Sequence, residues 1–206
     1  MDRKYWGFGL YVFVWLVIFG PIYITPFLAQ PAPAVFSTLQ AIYAPTCHQL
    51  ASRSICYYQD GSFGDCDRNG TAVIGRQQIV DDHSVLGYKF PVCARDLAIY
   101  AAMLLGAFLL PFVMKVDTKT VPPLRYFIIA LIPIGIDGGT QLIGLRTSTN
   151  ELRIITGVIA GIVIPFYLIP MLNTFIIGPD KPQPKPEGES RENGGKKEGK
   201  EKVKLP

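Results

Sequence analysis

The sequence predicts a mainly α fold, an integral membrane four-helix bundle with an extracytoplasmic cysteine-rich loop between helices 1 and 2. Three observations predict it. Hydrophobic residues make up 49% of the 206 positions and charged residues 17%, fewer charges than the roughly 25% of ordinary soluble domains. Four segments, about 5–28, 97–114, 126–145 and 154–177, approach the roughly 20 apolar residues that cross a bilayer. A soluble chain of this length could bury one such helix but not four. Finally, every cysteine and both histidines fall between Cys47 and Cys93, in the stretch that separates the first two apolar segments.

The first segment follows Arg3 and Lys4 and could be taken for a secretory leader. Its apolar core exceeds the usual 7–15 residues, and Pro31 and Pro33 crowd the small-residue site at Ala32–Ala34, so a retained helix is the preferred reading. Those prolines open a short amphipathic segment in which Val35, Phe36, Leu39, Ile42 and Tyr43 share one helical face. It ends at Pro45. Asp60-Gly61 and Asn69-Gly70 mark turns, and Thr71–Ile74 and Gln78–Val80 read as short strands on either side of Gly75. Pro91 to Asp96 leads into the second membrane helix. The third carries Asp137, and Ser148 with Glu151 has the capping-box spacing that starts the fourth. Gly135/Gly139 and Gly157/Gly161 would let neighbouring helices approach closely.

The domain division is a membrane domain, 1–177, with the outer loop at 29–96, and a disordered cytoplasmic tail, 178–206. The tail is rich in Lys, Glu, Gly and Pro and has almost nothing to bury. It dominates the formal net charge of +4, which therefore gives no support for nucleic-acid binding. Arg3, Lys4, Lys115, Lys119, Arg125 and every basic residue of the tail fall on one side of the predicted bilayer. Arg53, Arg68, Arg76, Lys89, Arg95, Arg146 and Arg153 fall on the other, most of them in a long loop that the charge rule weights weakly. Both termini are expected in the cytoplasm of a multi-pass cell-membrane protein. Four cysteines in one loop suit an oxidising compartment, and the acceptor tripeptide Asn69-Gly70-Thr71 agrees.

On this topology a polar site converges at the outer interface. Cys47, His48, Gln49, Arg53, Cys93, Arg95 and Asp96 lie there; Asp137 and Gln141 rise toward it on one helix face, and Arg146, Asn150 and Arg153 border it. An aspartate at the centre of a spanning helix costs about 2.5–3.5 kcal/mol on insertion scales, so Asp137 is expected to have a partner. Its plain role is a helix–helix hydrogen bond. Its chemical role would be acid–base work with His48 and Gln141. Arg53, Arg95, Arg146 and Arg153 form an anion-binding set, because guanidinium offers two aligned donors; the outer arginines could equally meet lipid headgroups. Cys56 and Cys66 enclose a turn-rich segment and are read as a structural disulfide. Cys47 and Cys93 have three readings: a second disulfide, a metal site with His48 or His83, or reactive thiols. Zinc is the candidate ion, although adjacent Cys-His is not zinc-finger spacing.

Cys47-His48-Gln49 with Arg53-Ser54, then Pro91-Val92-Cys93-Ala94-Arg95 and Tyr100, resembles an uncharacterised family of small multi-pass membrane proteins. Ile136-Asp137-Gly138-Gly139-Thr140-Gln141, with Arg146, Ser148, Asn150 and Arg153, is similar to that family's later motif. The resemblance spans roughly residues 40–165 and leaves out Cys56, Cys66 and His83. It implies a location for the site and no chemistry. Three functional classes follow: a metal-dependent or anion- or lipid-headgroup-handling membrane enzyme, a disulfide-braced subunit or binding protein without turnover, and extracytoplasmic thiol–disulfide exchange. The expected partners are the bilayer and a lipid or small anion, with oligomerisation left open.

Overall fold

The computed structural model describes residues 3–47, 50–67, 72–74, 78–80 and 84–178. His48, Gln49, His83, the Asn69-Gly70-Thr71 tripeptide and the tail beyond Gly178 lie outside the described residues. The chain is mainly helical, with a small sheet between its first and second apolar segments.

Among the described residues three stretches are long and apolar enough to cross a bilayer: Trp6–Leu28, Ala94–Val113 and Asn150–Ile177. The first is not one regular helix. It consists of α1 (Trp6–Ile18), α2 (Gly20–Ile24) and a 3-10 turn (Thr25–Leu28), broken where Pro21 lacks an amide hydrogen to continue the ladder. After the loop region, which holds α3 (Pro33–Tyr43), the second stretch is α4 (Ala94–Val113). The third is α6 (Asn150–Val163) followed by α7 (Pro165–Ile177), with Pro165 in the first turn of α7, where a missing amide hydrogen costs nothing. The remaining expected segment is α5 (Leu124–Leu142). It is helical but less apolar, because Arg125, Asp137 and Gln141 lie on it. Gly144, at φ +74°, turns the chain just past its end.

The core joins α1, α4 and α7 through Tyr11, Trp15, Met103, Ala107, Leu110 and Ile169. Carbonyls of α4 accept hydrogen bonds from Tyr11 Oη (at Met103, 3.3 Å), Trp15 Nε1 (at Tyr100, 2.9 Å) and Tyr23 Oη (at Leu97, 2.7 Å). These bonds tie the first stretch to the second by geometry that apolar packing alone would not impose. At the far end Asn173 Nδ2 donates to the carbonyls of Val116 and Thr118, at 2.8 and 2.9 Å, and so holds the α4–α5 connection.

Glycines bring α4 and α6 together. A Cβ on Gly157 would lie 2.8 Å from the Arg95 carbonyl, and Gly161 and Gly106 face the Ile99 and Ile162 carbonyls more closely still. The other expected pair differs: Gly135 and Gly139 face open space. Large apolar side chains, including Phe13, Phe108, Phe112, Ile132, Ile136 and Phe175, stay exposed around the helices, the pattern of a surface turned to lipid rather than water.

The loop region contains more regular structure than its turn signals suggest. Its five-stranded antiparallel sheet runs β2-β1-β5-β4-β3, from β1 (Ile55–Tyr58), β2 (Phe63–Asp65), β3 (Ala72–Ile74), β4 (Gln78–Val80) and β5 (Leu86–Lys89). The β3–β4 pair lies at the two short strands expected on either side of Gly75. β1 and β2 form a hairpin around Asp60-Gly61, with Gly61 at φ +85° and Asp60 Oδ1 accepting from the Ser62 amide at 2.8 Å. Cys56 and Cys66 are disulfide-bonded across this hairpin, S–S 2.08 Å, and are fully buried with Tyr58 and Ile79. On α3 the buried positions are Phe36 and Gln40, whereas Val35 and Ile42 point outward. The expected five-residue apolar face is thus split, because Gln40 reaches the sheet and donates to the Lys89 carbonyl at 2.6 Å.

Candidate functional site

The start of α4, the end of α5 and the start of α6 meet at one end of the bundle, under the β1–β2 hairpin. The link to the hairpin and to the 3-10 turn before it (Ala51–Arg53) is direct: Asn150 Nδ2 donates to Asp65 Oδ1 at 2.8 Å, and Arg153 Nη1 to the Ser52 carbonyl at 3.2 Å. Polar side chains from these elements form two storeys.

The lower storey is centred on Asp137, which is 1% exposed. Its carboxylate accepts from Arg95 Nη2, from Arg146 Nη2 at 2.7 Å and from Ser148 Oγ at 3.0 Å. Arg146 also donates through Nε to Thr140 Oγ1 at 3.1 Å. The partner that the insertion cost of Asp137 demands is therefore a pair of guanidiniums, one on α4 and one on the α5–α6 connection. Ser148 is not the helix cap its spacing suggests. Thr149 is the N-cap of α6, accepting from the Leu152 amide at 3.4 Å, while Ser148 is turned to Asp137. The competing carboxylate explains the one-residue shift.

The upper storey is centred on Gln141, one turn above Asp137. With its carbonyl oxygen toward the arginines, Gln141 accepts from Arg153 Nη2 at 2.9 Å and Arg53 Nη2 at 3.2 Å. Arg153 also donates to Asn150 Oδ1 at 2.8 Å. It is 4% exposed, yet among the described residues neither it nor Arg53 makes an ion pair. Both line a polar cleft of about 490 Å³, together with Gln141, Ser148, Asn150 and the carboxyl-bearing Asp65, Asp67 and Glu151.

A thiol cluster lies at the start of α4. Cys47 Sγ, Cys93 Sγ and an Asp96 carboxylate oxygen are all within 4.8 Å of one another, and each residue is half-buried. Cys93 Sγ donates to Asp96 Oδ2 at 3.2 Å. Its hydrogen bond with Cys47, its burial and the charge of Asp96 push the Cys93 thiol well above the ordinary range. Cys47 and Cys93 are not joined as a second disulfide. Asp96 stands where the sequence suggested histidine, and His48 lies outside the described residues.

The structure thus brings Arg53, Arg95, Asp137, Gln141, Arg146 and Arg153 together in two adjoining storeys and sets Cys47 and Cys93 at the start of α4. Sequence reasoning missed Ser52 and Asp65 as partners because one lies in the 3-10 turn before β1 and the other at the end of β2, elements it did not foresee. Asp96 had a readable signal: it follows Cys93 by three residues at a helix start, which places both side chains together.

Residues 82–167 match a family described as predicted membrane protein (DUF2085). An uncharacterized protein of Methanocaldococcus jannaschii is 35% identical over 175 residues, covering 82% of this chain and 93% of that protein. An uncharacterized protein of Methanothermobacter thermautotrophicus is 44% identical over 82 residues, or 38% of this chain and 69% of that protein. No solved structure matches the chain. The matched span contains Cys93, Arg95, Asp96, Asp137, Gln141, Arg146 and Arg153, whereas Cys47 and Arg53 precede it.

Proposed function

As the chain belongs to the predicted membrane protein family DUF2085, we propose that it is a membrane binding protein that takes an anionic group, phosphate or carboxylate, on Arg53 and Arg153. The observation that carries this reading is the buried guanidinium of Arg153. Its acceptors, Asn150, Ser52 and Gln141, are all neutral. An uncompensated buried charge costs several kcal/mol, and Asp137 does not supply a direct counter-charge, because its ion pairs are with Arg95 and Arg146. A bound anion would, with two guanidiniums presenting aligned donors. Asp65, Asp67 and Glu151 on the cleft wall would favour a ligand that also carries a cationic or hydroxylated part.

Within this reading Asp137 positions Arg95 and Arg146, with both its oxygens engaged. The charge bias supports a topology with the sheet and cleft on the outer face and both termini inside, and in this reading α5 is a fourth crossing helix packed beside α6.

The test uses the full chain in nanodiscs of neutral lipid, titrated calorimetrically with inorganic phosphate and with soluble glycerol phosphate, and repeated in nanodiscs containing anionic phospholipid. Binding that Arg53→Gln weakens by about tenfold or more, the loss of one charge-assisted pair, supports the proposal. Competition by the anionic lipid identifies a headgroup as the source; its absence identifies a soluble anion. No heat with any probe from the folded protein, or binding indifferent to Arg53→Gln, refutes it.

A further inference from the structure

We propose that Cys47, Cys93 and Asp96 form a binding site for a zinc-class divalent cation, with one coordination position left open. The site is independent of the anion reading, since none of the three residues lines the cleft.

Two sulfurs and one carboxylate oxygen within 4.8 Å nearly match what a tetrahedral centre requires. Zinc–sulfur bonds of about 2.3 Å put two thiolate ligands nearly 4 Å apart, so the remaining adjustment is a fraction of a rotamer swing. The donor chemistry selects the ion: two thiolates with one carboxylate suit a borderline-soft metal and disfavour magnesium or calcium, which take all-oxygen shells. The other two cysteines are committed elsewhere, because Cys56 and Cys66 are buried in their own disulfide.

The framework is built for a fixed site. Cys93 is the N-cap residue of α4 and Asp96 is in its first turn, so one helix start orients two ligands. That turn is clamped from behind where Gly157 packs on the Arg95 carbonyl. Cys47 arrives from the opposite side, after a 3-10 turn (Ala44–Thr46) in which Thr46 Oγ1 bonds the Tyr43 carbonyl at 2.7 Å. A metal at this point would close the whole sheet-bearing loop at its base, joining its two ends. Binding displaces the Cys93-to-Asp96 hydrogen bond and releases both thiol protons to solvent. Three protein ligands and an open position describe a site that can hold water or a substrate atom.

The test uses the full chain in detergent micelles, purified under reductant and titrated with cobalt(II). The expected result is about one cobalt per chain, with thiolate-to-cobalt charge-transfer absorption and tetrahedral ligand-field bands, both displaced by zinc. Cys93→Ser should abolish the charge-transfer band. Asp96→Asn should keep thiolate absorption but weaken cobalt binding by about tenfold or more, at least the loss seen for outer-shell changes. Zinc should also protect Cys47 and Cys93 from alkylation in the unmodified chain, a readout that needs no variant to fold. Absence of the band in a folded, reduced protein overturns the proposal. So does a band unchanged by Cys93→Ser, or a Cys47–Cys93 disulfide that forms equally with zinc present.

Discussion

Asp137→Asn tests whether the lower storey is held by charge or only by hydrogen bonding. Asparagine keeps the size and one acceptor oxygen, so Ser148 retains a partner, but its amide nitrogen presents donors to a guanidinium. Two cations then lose their counter-charge. The Arg146 side chain is 44% exposed, so solvent screens it and its loss is worth about 0–1 kcal/mol. The Arg95 side chain is 20% exposed, and breaking such an enclosed pair costs about 3 kcal/mol, the lower part of the range for buried pairs. Against this, the neutral side chain is easier to insert, by at most about 2.5–3.5 kcal/mol at mid-membrane. Asp137 lies five residues from the end of α5, where that penalty is smaller. The balance is a net destabilisation of about 1–3 kcal/mol. It would be read as a lowered midpoint for denaturation in mixed detergent micelles followed by tryptophan fluorescence. Combining the change with Arg95→Gln should recover much of the loss, because no enclosed cation is then left alone; the double-mutant cycle isolates that coupling. A variant as stable as the parent, or a double variant no better than the single, would refute the reasoning.

Two further outcomes follow from geometry described above. Replacing Cys56 and Cys66 by serine should lower stability by about 2–3 kcal/mol, measured as the same midpoint shift, while phosphate binding at a permissive temperature persists; a folded variant that cannot bind would show that the hairpin shapes the cleft through its disulfide. Gly157→Leu should separate α4 from α6 and disturb Arg95 along with the packing, lowering the midpoint more than Gly139→Leu, which meets open space; equal effects would mean that the glycine contact does not hold the helices together.

The membrane class and the helices were legible because they depend on long runs of one property. Residues 97–113 carry no charge, and only a spanning or wholly buried helix tolerates that. α5 illustrates where such reading stops: its sequence announces a helix, but Arg125, Asp137 and Gln141 make it the least apolar of the set. The sheet was half legible. β3 and β4 are readable as short strand runs on either side of Gly75, whereas β1 and β5 read as loop, because Tyr57 and Tyr88 pair across strands thirty-one positions apart and no local pattern announces a distant partner. Likewise Phe36 and Gln40 face inward on α3 while Val35 points outward, since Phe36 packs on Tyr88 and Gln40 reaches the Lys89 carbonyl of the same strand.

The site shows the same division, with a physical reason for each part. A charge inside an apolar helix is costly enough that Asp137 had to have partners, and only the cations near the same helix end could reach it. Which partners it took depended on geometry the sequence does not encode locally. Arg95 and Arg146 reach down to the carboxylate, whereas Arg153 is held one turn higher by Gln141, Asn150 and the Ser52 carbonyl. The amide of Gln141 is what separates the storeys. A carboxylate at that position would pair directly with Arg53 and Arg153 and leave neither guanidinium open to a ligand. A neutral acceptor orients both guanidiniums without pairing their charge, and that is why the anion is proposed for the upper storey and not for Asp137.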